Sequence, residues 1–179
     1  LRQVESISLF TSARSYSAAR EFETDRQQFR RALAQDPESL LADDAYTRLC
    51  LFLMDSSGDY MPVLDESLRY HPDSEKLRLL RLAVFAGSSI DQHNESAMHL
   101  ALDLRHTAPH NAALVAKALH NIGAGHLRHR ANPDAAIHAY QQTLRLEPDR
   151  LKTLKDLTFA HWQKAVGVAE QIEEATGPD

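Results

Sequence analysis

The clearest structural signal in this chain lies in residues 123–148, which read GAGHLRHRANPDAAIHAYQQTLRLEP. Its first part, with the small residues Gly123 and Ala124, belongs to a helix predicted over about residues 112–130. Asn132 then precedes Pro133, which is the pattern of a helix N-cap followed by a proline in the first turn. The second part carries apolar residues at helical spacing and ends on a proline, which cannot continue a helix: Ala136, Ile137, Tyr140, Leu144 and Pro148. The stretch therefore predicts two helices joined by a tight turn.

Four of the seven prolines recur in similar settings along the chain. Pro37, Pro72, Pro109 and Pro148 each follow a helix-like stretch, and subtraction of their numbers gives intervals of 35, 37 and 39 residues. Each of these prolines marks the end of a helix. A recurring unit of about 34–40 residues that divides into two helices is typical of a helical solenoid. No segment alternates apolar and polar residues as a half-buried strand does.

The fourth unit resembles a tetratricopeptide repeat. The positions that carry the resemblance are Gly123, Ala124, Leu127, Pro133 to Ile137, Tyr140, Leu144, Leu146, Glu147 and Pro148. The first unit is similar at Ala13, Tyr16, Phe29, Ala32, Leu33 and Pro37. The two middle units are degenerate, with Leu64 and Ala101 where the family usually has an aromatic residue. In this family, small residues let paired helices approach and the aromatic ring fills the gap between them.

The resemblance implies an all-α fold, a right-handed α-solenoid of about four helical hairpins with a C-terminal capping helix. We expect a single domain over residues 1–179, with units at about residues 5–38, 39–73, 74–110 and 111–149 and the capping helix at 150–175. A compact helical bundle without repeats is the alternative. On the last helix, Phe159 and Trp162 are predicted to be core residues if that helix caps the stack. If the native protein continues, they are expected to seat the next element.

The resemblance also implies a binding surface. In this family the first helices of successive units line a concave face, which usually holds a peptide or a partner helix. The residues that match this face are Arg14, Tyr46, Lys76, Asn121, Arg128 and Lys155. Their basic, amide and aromatic groups suit an extended or acidic segment, so we expect a protein–protein interaction scaffold or adaptor. The alternative for each residue is an ordinary solvated side chain.

Composition and charge restrict the partners that the chain can have. The formal net charge is −5 and no run of clustered Lys and Arg occurs, so nucleic acid is not an expected partner. No apolar stretch reaches the roughly 18 residues that a membrane-spanning helix needs, so no membrane insertion by this segment is expected. The single cysteine, Cys50, cannot form an intrachain disulfide, and its apolar neighbours predict burial. Cytoplasm and periplasm are both compatible compartments.

The sequence carries no catalytic motif, and we expect no enzyme, no cofactor and no metal site. His126 and His129 are spaced to share a helix face, with His120 and His138 as further candidates, but a zinc site needs three or four ligands.

Two other functions stay open. The chain begins at Leu1, which suggests a regulatory or sensor segment excised from a larger transcriptional or membrane-bound protein, or a homo-oligomer. The second alternative function is an enzyme or a small-molecule receptor that uses the concave groove.

Overall fold

The computed structural model describes residues 22–39, 41–55, 59–86, 88 and 90–177, and this part of the chain is helical, as the sequence predicts. It contains eight α-helices, one short 3-10 helix and no strand. The 3-10 helix spans Pro109–Asn111. The α-helices are α1 (Phe22–Gln35), α2 (Ala42–Asp55), α3 (Met61–Tyr70), α4 (Glu75–Ala86), α5 (Asp91–Thr107), α6 (Ala112–Arg130), α7 (Pro133–Leu146) and α8 (Leu151–Thr176).

The four recurring prolines all lie between α-helices. Pro37 follows α1, Pro72 follows α3, Pro109 follows α5 and Pro148 follows α7, and each of these helices ends two residues before its proline. The reason is steric, because the proline ring disfavours helical backbone in the residue before it. The sequence signal for helix ends is therefore confirmed at every one of these positions.

The turn between α6 and α7 depends on two adjacent residues. Ala131 ends α6 in the left-handed conformation with φ 46°, which is costly for a residue with a Cβ. Asn132 then caps α7, as the sequence predicts: its Oδ1 accepts a hydrogen bond from the Ala135 N–H at 3.1 Å, and Pro133 lies in the first turn. The cap satisfies a backbone donor that the helix itself leaves without a partner.

The described residues divide into two compact units, one ending at Leu80 and the other beginning at Arg81. In the first unit, α1 packs on α2 and α2 packs on α3. Its turns are fixed by side chains, since His71 Nε2 lies 2.6 Å from the Pro37 carbonyl oxygen and Ser74 Oγ donates to Asp43 Oδ1 at 2.6 Å. The core of this unit includes Phe29, Ala32, Leu33, Tyr46, Leu49, Leu53, Leu64 and Leu77.

In the second unit, each helix from α5 to α8 packs on the next one along the chain, and α8 also contacts α6. Helices α6 and α7 approach closely at Gly123, where an added Cβ would lie 2.7 Å from Tyr140 Cε1. Tyr140 is buried in a cluster with Ala136, Ile137 and Ala160. The small residue and the aromatic ring that carry the sequence resemblance therefore meet across one pair of helices.

Helix α4 changes its buried face along its length. Leu77 belongs to the core of the first unit, whereas Leu82, Phe85 and Ala86 near the other end of the helix are buried residues of the second. From the sequence, Leu77, Leu80, Ala83 and Val84 are expected to form one apolar stripe, but Ala83 is exposed. The pattern misplaces Ala83 because it assumes one continuous apolar stripe along the helix.

The prediction that Phe159 and Trp162 are core residues is wrong for this structure. They are 48 % and 59 % exposed, on a helix whose buried residues are Thr153 and Ala160. Apolar periodicity shows which residues of a helix share a face, and it favoured burial of this face. It does not show whether another element covers that face, which matters most for a terminal helix.

The predicted helix that carries Leu9, Phe10, Ala13 and Tyr16 lies outside the described residues. None of the helices that the structure describes combines the length and the apolarity needed to cross a membrane.

Candidate functional site

A small polar groove runs beside α6 in the second unit. Its cavity volume is about 260 Å³. It is formed by α6, by the first turn of α8 and by the end of α4 with the turn that follows. The lining residues are Ala86, Ser88, His120, Asn121, Ala124, Gly125, Arg128, His129 and Lys152.

The lining follows from residue spacing along α6. Asn121, Gly125 and Arg128 are four and three residues apart, so they lie on one side of an α-helix. Between the two long polar side chains, Ala124 and Gly125 contribute almost no side-chain volume. A Cβ added to Gly125 would meet no atom within 4 Å, which shows that the groove is open above this residue.

His120 forms the buried wall of the groove. Its side chain is 3 % exposed, its Nδ1 lies 3.0 Å from Thr153 Oγ1, and its Nε2 lies 3.5 Å from Asp156 Oδ2. These contacts join α6 to the first two turns of α8. The ring also packs at a tilt on Tyr140, with centroids 5.5 Å apart. The polar wall of the groove is therefore held by the same packing that holds the helices together.

The electrostatic environment of His120 is positive. Burial lowers the pKa of His120 below its usual value of 6.5, because it penalises the charged ring. Lys152, Arg150 and Arg128 lower this pKa further, and only Asp156 acts in the opposite direction. A positive potential that disfavours an imidazolium favours an anion at the same place.

The charged residues that line the groove are all basic. Arg128 and Lys152 contribute a guanidinium and an ammonium group, and none of the described residues that line the groove is an Asp or a Glu. Within the described part of the chain, neither of these two cations is held in an ion pair. Both are exposed, so both are available to a ligand. A carboxylate entering the groove would meet two cations and the amide of Asn121.

The structure brings together two of the six residues that the sequence proposes for a binding face, Asn121 and Arg128. Lys155 does not line the groove and lies instead on the side of α8 that carries Phe159 and Trp162. Arg14 lies outside the described residues. The remaining two residues belong to the first unit.

Tyr46 and Lys76, the two candidates in the first unit, have different surroundings. Tyr46 is 1 % exposed and lies in the core, where its ring meets His71 edge-on at 6.0 Å, so we do not propose it as a contact residue. Burial raises the pKa of its phenol far above the usual value of 10. Lys76 is exposed, and its Nζ lies 3.6 Å from Asp44 Oδ1.

Sequence reasoning missed Lys152, Ser88 and His120 as lining residues. Lys152 lies one turn before the predicted Lys155, and only the rotation of α8 about its axis decides which of the two faces α6. A signal for His120 existed in its spacing, because it lies four residues before Ala124 and eight before Arg128 and so shares a side of α6 with them. Ser88 follows the end of α4 in a turn whose course the sequence does not specify.

A larger groove, with a cavity volume of about 770 Å³, lies where α8 passes the start of α7. Its lining includes Asn132, Asp134, Trp162, Val166 and Glu170. It contains no buried polar side chain, and Asp134 within it is already paired with Lys164. We therefore place the candidate site in the smaller groove. Among the described residues, no group of three His, Cys, Asp or Glu side chains is arranged to hold a metal ion.

The sequence matches no protein-family model and shows no significant similarity to a curated protein.

Proposed function

We propose that this chain is a protein–protein interaction module, an adaptor or scaffold, and that the basic groove beside α6 binds an acidic segment of a partner protein. The observation that carries the proposal is that Arg128 and Lys152 both line one open groove, in which no described lining residue is a carboxylate. Hydrogen bonds to charged groups contribute about 1.5–3 kcal/mol each, so two such contacts supply about 3–6 kcal/mol, which corresponds to a dissociation constant between several millimolar and tens of micromolar.

The size of the groove supports a peptide ligand. Its volume of about 260 Å³ lies below the roughly 300–1,000 Å³ of typical small-molecule pockets. A side chain that belongs to a longer segment needs less enclosed space, because the rest of the segment binds on the open surface. Glu and Asp side chains have the charge and the length to reach both cations.

The arrangement of the helices also supports this proposal. Helices α6 and α7 form a close pair through Gly123 and Tyr140, and α8 packs on both of them. We propose that this is one unit of a tetratricopeptide-like solenoid, in which the first helix of each pair faces the ligand. The same surface would serve a stand-alone adaptor or a regulatory segment of a larger protein.

The experiment is a fluorescence anisotropy titration of a labelled peptide rich in Glu and Asp. A peptide of equal length with Gln and Asn in place of the acids is the reference ligand. We expect the acidic peptide to bind and the neutral one to bind at least about tenfold more weakly, with the difference shrinking as salt screens the charges.

Arg128→Glu is the decisive variant. It replaces one attraction by a repulsion, so the affinity for the acidic peptide should fall by about 10- to 100-fold. Arg145→Glu is the matched control, since Arg145 is exposed on α7, changes the net charge equally and does not line the groove. Equal losses in the two variants, or equal binding of the two peptides, would refute the proposed site.

A further inference from the structure

The outer face of α8 carries aromatic residues that the rest of the described chain leaves exposed. The rings of Phe159 and Trp162 stack with centroids 5.5 Å apart. This pair lies about 140° around the helix axis from the buried residues Thr153 and Ala160. Adjacent exposed aromatic residues are typical of surfaces that bind another protein.

The aromatic pair belongs to a longer line of residues, which we call the α8 seam. Its members are Lys155, Phe159, Trp162, Val166, Ala169 and Glu173. Successive members are separated by four, three, four, three and four residues, by subtraction. This is the spacing with which one helix packs along another in a coiled coil. The last part of the seam lies on a stretch of α8, Val168 to Thr176, in which every residue is exposed.

The corresponding face of α6 already packs on a helix. Helix α6 follows Pro109 and helix α8 follows Pro148, and these two prolines are 39 residues apart by subtraction. The same offset relates Trp162 of α8 to Gly123 of α6, and Val166 to Leu127. Gly123 contacts Tyr140 of α7, and Leu127 packs on the cluster that contains that ring. The seam therefore lies on the side of α8 that corresponds to the side of α6 covered by α7.

The seam is complementary to itself when two copies of α8 run in opposite directions. Its members are placed symmetrically about position 164, so that Lys155 faces the partner's Glu173. Phe159 then faces the partner's Ala169, and Trp162 faces the partner's Val166. Each large ring meets a small side chain and each terminal charge meets its opposite, which is the combination that close packing of two helices requires.

The charges beside the seam favour the same direction. The first half of α8 carries Lys152 and Lys155 with one acid, Asp156, whereas the second half carries Glu170, Glu173 and Glu174 with one Lys, Lys164, which is already paired with Asp134. Antiparallel copies bring the basic half of one helix to the acidic half of the other. Parallel copies would oppose like charges at both ends of the seam, which is destabilising.

From this complementarity we propose that the chain forms a two-fold dimer through antiparallel pairing of the α8 seam with that of a second copy. The dimer is weak, because the exposed parts of the two rings supply roughly 250 Å² per copy, against about 800 Å² per partner in a standard interface. The interface uses the side of α8 that carries Lys155, and it leaves Lys152 and the basic groove free.

Sedimentation velocity over a wide range of concentration tests the dimer. We expect the wild type to pass from monomer to dimer between micromolar and about millimolar concentration, as suits an interface of this size. Trp162 is the only tryptophan of the chain, so its emission should shift to shorter wavelength over the same range. A chain that stays monomeric at about 1 mM overturns the proposal, and so does a stable complex of the seam with a different protein only.

Charge reversal tests the direction. Lys155→Glu and Glu173→Lys should each weaken the dimer at least about tenfold, because each replaces two symmetric attractions by repulsions. The double variant restores both attractions and should dimerise like the wild type, with circular dichroism checking that all variants fold. Glu174→Lys is the control with the same charge change beside the seam. No rescue in the double variant, or an equal loss in Glu174→Lys, overturns antiparallel pairing.

Discussion

Replacing Gly123 by alanine should destabilise the α6–α7 pair. The added Cβ would lie 2.7, 2.8 and 3.0 Å from three carbon atoms of the Tyr140 ring, whereas ordinary contacts of a Cβ are at 3.4–4 Å. The ring cannot move away freely, because Tyr140 is 1 % exposed and packs on Ala136, Ile137 and Ala160. Overpacking of this kind costs about 1–3 kcal/mol. Alanine also gains about 1 kcal/mol over glycine in a helix, which offsets part of the cost.

Gly125→Ala on the same helix separates the two effects. Its Cβ would meet no atom within 4 Å, so it gains the helix propensity without the contact. The free energy of unfolding, from urea denaturation followed by circular dichroism, should rise by about 0.5–1 kcal/mol in Gly125→Ala. Gly123→Ala should be about 1–3 kcal/mol less stable than Gly125→Ala. That difference isolates the contact with the ring.

Removal of the Tyr140 ring should make the alanine at position 123 less costly. Tyr140→Leu removes the ring, so adding Gly123→Ala to that variant should cost less than adding it to the wild type, with a coupling energy of about 1 kcal/mol or more. If Gly123→Ala proves as stable as Gly125→Ala, the close approach does not constrain this helix pair, and our explanation of the glycine is wrong.

Further predictions concern the turn, a buried histidine and the cysteine. By urea denaturation, Asn132→Ala should lower the free energy of unfolding by about 1 kcal/mol through loss of the cap, whereas Ala131→Gly should raise it by up to about 1 kcal/mol by relieving the left-handed alanine. Because the pKa of His120 is lower in the folded chain than its ordinary 6.5, the unfolded chain binds the proton more readily. The free energy of unfolding should therefore keep its full contribution from His120 above about pH 6.5 and should fall as the pH drops below that value. In His120→Gln, measured across the same pH range, the free energy of unfolding should fall less steeply. Burial raises the pKa of Cys50 to about 12, so a thiol reagent should label it only after denaturant is added, and rapid labelling of the native chain would contradict its burial.

The sequence predicted the α6–α7 pair well because the signals are local. Pro148 and the Asn132–Pro133 pair act on the backbone next to them, so they locate helix ends without knowledge of the rest of the fold. Gly123 and Tyr140 could be paired only through the resemblance to a known repeat, since their contact joins two helices.

The groove and the outer face of α8 could not be predicted in the same way. Which of Lys152 and Lys155 lines the groove depends on the rotation of α8, and that rotation is set by packing of Thr153 and Ala160 on other helices. Trp162 was expected in the core, because an aromatic residue at helical spacing is more often buried than exposed. Exposure depends on which elements are available to cover a helix, and periodicity within the helix does not encode that.

A backbone amide NMR titration with the acidic peptide shows where the peptide binds. If the groove beside α6 receives the acidic segment, the largest chemical-shift changes occur at the amides of Asn121, Gly125, Arg128 and Lys152 and saturate together. Largest changes on the outer face of α8 or in helices α1 to α3, with these four amides unmoved, would contradict binding in this groove.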